Sequence, residues 1–69
     1  MVLTNPQDVR MKFATAKEWL TVDEIAKNLG AGYKTIQKAL AGEPVRAVTV
    51  KKIAKALGVP AMEIATFVD

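Results

Sequence analysis

Apolar residues recur at helical spacing in five successive segments of the chain, the mark of amphipathic helices sharing one core. In the first, Val9, Phe13, Ala16 and Leu20 stand at i, i+4, i+7 and i+11, which leaves Arg10, Lys12, Lys17 and Glu18 to solvent. Asn5 suits an N-cap, Pro6 the first helical position, and Asp8 the positive helix end. The spacing predicts a helix over 6–19 with a partly buried Trp19 at its end, after a loose lead-in from Met1 to Thr4. A second helix is predicted over 22–29. Thr21 and Glu24 form a capping box there, Leu20 and Ile25 are spaced as a hydrophobic staple, Ile25, Ala26 and Leu29 make the apolar stripe, and Gly30 ends it.

Ala31 and Gly32 bridge to a third helix over 33–41, in which Ile36, Ala39 and Leu40 face inward and Tyr33, Lys34, Gln37 and Lys38 fall mainly on the other side. Gly42 and Pro44 end it. A fourth helix over 47–57 buries Ala47, Val50, Ile53, Ala54 and Leu57 and turns Lys51, Lys52 and Lys55 outward. Its start is weakly marked, because Arg46 is no natural cap and Thr49 is a better one; Gly58 closes it. The fifth, over 60–67, places Pro60 first and Glu63 in the opening turn. Ile64 and Phe67 are expected in its core, with Met62 and Val68 exposed. The fold class expected is all-α, a compact five-helix bundle in one domain covering residues 1–69.

Two short helices joined by a glycine turn need a small residue at their contact, a glycine in the turn and a branched apolar plug. Ala26, Gly30 and Ile36 supply these. Their spacing, Ala-x3-Gly-x5-Ile, resembles the DNA-binding helix-turn-helix, whose second helix lies in the major groove. Downstream, AGEPVRAVTVKKIAKALGVPAMEIA is similar to the later helices of the Cro/C1-type repressor domain, the XRE family, with its lambda-repressor-like fold. The likeness spans Val9 to Ile64. It implies a transcriptional regulator, repressor-like, that binds double-stranded DNA in sequence-specific fashion, while a cytoplasmic location is expected from the lack of a membrane-length apolar run and of a secretory signal. It also implies DNA backbone contacts at Thr21 and Val22, where the second helix starts, and at Arg46, before the fourth.

Two positions depart from the phage-repressor pattern. Val22 and Tyr33 stand where many repressors carry glutamine, so the base preferences of phage operators do not transfer. Tyr33-Lys34-Thr35 instead resembles the Tyr-x-Thr recognition segment of lactose-repressor-type headpieces, from which only the role of the tyrosine is carried over.

With 69 residues, 51% apolar and 25% charged, the chain has the composition of one small globular domain. It has no cysteine and no histidine, which removes disulfides, thiol chemistry and common zinc sites. No apolar run reaches the roughly 20 residues of a membrane span, and MVLTNPQD lacks the basic start and apolar core of a secretory signal. The carboxylates Asp8, Asp23, Glu24 and Glu63 have capping roles, and no phosphate-loop motif or deep pocket is expected, so the chain is not read as an enzyme. No cofactor, metal or small-molecule ligand is expected.

The net charge is +3, and its placement carries more than its size. Structural helices gather acid in the first turn, as the first, second and fifth do. The third does the opposite: Tyr33 and Lys34 open it, no acid occurs from Ala31 to Leu40, and Lys38 lies one turn on. An anion docked there offsets the unfavourable dipole, at about 0.3–1 kcal/mol. Tyr33, Lys34, Gln37 and Lys38 are therefore the candidates for base edges; lysine suits guanine O6 and N7, and glutamine suits adenine. Thr35, Lys51 and Lys52 are candidates for phosphate. Met62, Phe67 and Val68 are candidates for a homodimer contact through the fifth helix and tail. The alternative on the same fold is a protein-interaction module that binds no DNA.

Overall fold

Each helix of the computed structural model, which describes residues 1–68, can be followed from its caps. In chain order the elements are β1 (Val2–Leu3), α1 (Pro6–Ala16), α2 (Val22–Leu29), α3 (Tyr33–Leu40), α4 (Ala47–Leu57), α5 (Ala61–Ile64) and β2 (Ala65–Thr66). At the start of α2 the Thr21 hydroxyl accepts from the Glu24 N–H at 3.1 Å and donates to the Glu24 carboxylate at 3.2 Å. Glu24 thus closes the capping box on the hydroxyl. At the other end Gly30 takes the left-handed conformation, φ 67°, so that its N–H reaches Lys27 O and the Ala31 N–H reaches Ala26 O at 3.0 Å. The end of α4 repeats this arrangement at Gly58.

The first helix departs from expectation. It stops at Ala16 and not at 19, because Glu18 adopts φ 60° without being glycine. Phe13 O then accepts from both Lys17 N–H and Trp19 N–H at 3.1 Å, and the Trp19 ring stacks on Phe13 with centroids 5.3 Å apart. Stacking offsets the cost of a left-handed side-chain-bearing residue. Because the chain folds back there, Ala16 and Leu20 miss the core; Leu20 is 65% exposed and lies along the outer side of α1 with Met11 and Ala14.

The ends of the chain also correct the all-α expectation. Met1 to Thr4 are not a loose lead-in: β1 pairs antiparallel with β2, Val2 opposite Thr66 and Leu3 opposite Ala65, and Leu3 is buried. The last helix accordingly spans four residues, with Pro60 as its N-cap, and gives way to strand at Ala65. Thr66, Phe67 and Val68 are β-branched or aromatic and favour extended backbone where a partner strand is at hand. Phe67, expected in the core, is 70% exposed. On α4 the buried face begins at Thr49 and Val50, and Ala47 lies outside it.

The described residues form a small, mostly helical domain with five helices and this two-stranded sheet. Its largest fully buried side chains are Phe13 and Val9 from α1, Ile25 from α2, Ile36 from α3, and Ile53 and Val50 from α4. The four longer helices therefore meet on one core, and α2 and α3 join it through a turn of three residues, Gly30 to Gly32. No helix among the described residues is long and apolar enough to cross a membrane.

Candidate nucleic-acid interface

The four longer helices start in two ways. α1 and α2 begin with a side-chain cap, Asn5 Oδ1 accepting from the Asp8 N–H at 3.2 Å and Thr21 from Glu24, and both carry acid in the first turn. α3 and α4 begin with Gly32 and Arg46, which make no side-chain cap, and neither has an acidic residue in its first turn. Their first N–H groups are left to solvent or to a ligand.

Both uncapped starts open into one surface groove of about 510 Å³. Thr35 and Lys38 line it from α3, the Gly30 to Gly32 turn forms another side, and Arg46, Thr49 and Lys52 line it from α4 and the residue before. Lys52 Nζ donates to Gly30 O at 3.3 Å, tying α4 to the turn that sets the start of α3. Thr49 is 6% exposed and lines the groove as the third residue of α4. Two helix dipoles with positive ends, with Lys38 and Arg46 beside them and the Lys52 ammonium on Gly30 O, are an arrangement suited to an anion.

Charge pairing leaves these cations available. The one ion pair among the described residues joins Lys12 to Asp8 at 3.2 Å, one turn apart on the solvent side of α1. A second basic hollow, lined by Lys17, Asn28, Lys52 and Lys55, differs in sense. It sits where α2 and α4 end, and Lys55, in the last turn of α4, complements the partly negative carbonyl end of that helix.

The candidate residues divide accordingly. Tyr33, Lys34, Gln37 and Lys38 are all exposed along α3, Tyr33 by 48%. Lys38 belongs to both this exposed side and the groove, and Thr35 and Arg46 are brought beside it. Thr21, exposed, and Val22, half-buried, mark the start of α2 and do not line the groove; Lys51 is exposed and lies outside it as well. Lys52 lines the groove, with its ammonium on Gly30 O. Thr49, which the sequence offers only as a possible cap, lines the groove as the third residue of α4. Met62 and Val68 are exposed as expected, together with Phe67.

Comparison of the chain with protein-family models, with curated proteins and with solved structures gives no match.

Proposed function

We propose that the chain is a sequence-specific double-stranded DNA-binding regulator of the Cro/C1 type, in which α2, the Gly30 to Gly32 turn and α3 act as a helix-turn-helix. The observation that carries this reading is the pair of uncapped, acid-free helix starts opening into one cationic groove beside the exposed residues of α3. A DNA strand offers what that arrangement lacks: a phosphate for the groove, with base edges one step away for Tyr33, Lys34, Gln37 and Lys38. Ala26, 3% exposed, and Ile36, fully buried, occupy the positions that a close contact of α2 with α3 requires.

In this reading Arg46, Thr35 and the first N–H groups of α3 and α4 hold phosphate, and Thr49 adds a hydroxyl donor. Thr21 and Val22 contact the backbone at the start of α2, and Lys51 adds charge at longer range. Lys52 acts on DNA by fixing the turn. Regulation follows from occupancy of an operator, which excludes or recruits the transcription machinery.

A DNA titration at several salt concentrations, with random duplex and with fragments selected from genomic DNA, tests this. Log affinity should fall with log salt at a slope of about −0.9 per phosphate contacted, and some fragments should bind far more tightly than random duplex. Lys34→Ala with Lys38→Ala should remove that preference while the helical circular-dichroism signal stays unchanged. If no duplex is held at low salt, the basic side of α3 is solvated surface and the reading fails.

A further inference from the structure

The two basic hollows of the surface share one residue. Lys52, tied by its ammonium to Gly30 O, lines the groove at the starts of α3 and α4 and also the hollow of about 460 Å³ that Lys17 and Lys55 line. Together the two hold five of the chain's ten basic residues, Lys17, Lys38, Arg46, Lys52 and Lys55. Among the described residues no carboxylate lines either hollow.

The helices that end at the second hollow do not need its lysines as hydrogen-bond donors. At the end of α2, Lys27 O and Ala26 O accept from the N–H groups of Gly30 and Ala31; at the end of α4, Lys55 O and Ala54 O accept from those of Gly58 and Val59. Backbone donors thus take the places that side chains fill at other helix ends. The one ion pair among the described residues, Lys12 with Asp8, uses none of the three lysines, and all three are exposed. Lys52 and Lys55 stand three residues apart on α4, a spacing at which like charges repel. An anion between them relieves that repulsion.

We propose that the second hollow takes the DNA phosphates that flank the site read by α3, so that one strand runs from the groove across Lys52 to Lys55 and Lys17. This rests on the DNA reading and extends its footprint beyond the base pairs that α3 reaches. The second hollow has no helix start of its own, so it offers summed charge and not a cradle for one small anion. A polymer that brings several phosphates in line suits it. Lys52 and Lys55 lie about 4.5 Å apart along the helix axis, and the phosphates of one strand advance about 3.4 Å each along a duplex. Such contacts add affinity and salt dependence without base preference.

Lys17→Gln with Lys55→Gln keeps two long side chains and removes both charges. Titrated against a fragment selected from genomic DNA, this variant should show a log–log salt slope shallower by about 1.8, two contacts at about 0.9 each, while its preference for the fragment over random duplex stays as in the wild type. Lys12→Gln with Lys27→Gln, at lysines that line neither hollow, removes the same charge and should keep the wild-type slope. Trimming the fragment from its ends should cost the wild-type chain affinity before the preference is lost, and should leave the Lys17→Gln, Lys55→Gln chain indifferent. An unchanged slope in that variant, or an equal drop in the control pair, overturns the flanking site and leaves the DNA reading standing. A wild-type chain that prefers no fragment overturns both. If the Lys17→Gln, Lys55→Gln chain loses its helical signal, the trimming series on the wild type decides: affinity that holds until the preference itself goes overturns the proposal.

Discussion

α2 and α3 are neighbours of equal length, eight residues each, yet they are built on opposite plans. α2 is stabilised from within: a threonine cap, Asp23 and Glu24 in the first turn, and a left-handed glycine at its end. α3 has no cap and no acid at its start, and Ile36 and Ala39, both fully buried, hold it to the core. Both bury two residues in the core, Ile25 and Ala26 from α2, so the helices differ in local stabilisers and not in packing. Local stabilisers are absent where the chain's polar side chains are freest to meet a partner, and the cost is carried by tertiary contacts.

The contact on which both helices depend should show the largest response. Ala26→Leu adds volume where α2 has 3% exposure, and overpacking there should cost about 1–3 kcal/mol, read as a lower denaturant midpoint with the slope unchanged. A neutral result would mean that α2 and α3 do not meet closely at Ala26. Thr21→Ala comes next. It removes the cap from α2 alone and should cost about 1 kcal/mol, leaving Glu24 N–H without its partner. Thermal unfolding followed by circular dichroism measures it; a loss below a few tenths would show that packing, and not the cap, also governs α2.

What the sequence reveals of this fold follows the same division. Starts and stops written in local chemistry were legible: Asn5 and Pro6, Thr21 with Glu24, Gly30 and Gly58 all stand at the helix ends they mark. The end of α1 was not, because its left-handed residue is Glu18, whose side chain gives no hint of φ 60°; the stacking of Trp19 on Phe13 that accompanies it leaves no mark in the periodicity. The strands were missed for a related reason. Two residues are too few to show alternation, and β1 and β2 exist only because the chain brings its two ends together. In the candidate interface the acid-free start of α3 was readable, and Arg46 came through the family resemblance. Thr49 was not readable as a site residue, since only the fold sets the start of α4 against the start of α3.

The contrast between the helices can be tested most narrowly by giving α3 what α2 already has. Gly32 is the N-cap of α3 with φ −68° and ψ 142°, a conformation open to any residue, and a Cβ there would meet Thr35 Oγ1 at 3.7 Å, an ordinary contact. Gly32→Asp should therefore fold normally. Its carboxylate can accept from the first free N–H groups and offset the dipole, for a gain of a few tenths to about 1 kcal/mol in unfolding free energy. The same carboxylate stands at the mouth of the groove with Lys38 and Arg46, where it occupies the donors and repels phosphate. Stability and DNA affinity should then move in opposite directions, with a shallower salt slope. If Gly32→Asp is more stable and binds duplex unchanged, the bare start of α3 is not the phosphate seat, and the cationic groove has lost its role. If binding weakens while stability rises, the missing cap is part of the binding surface.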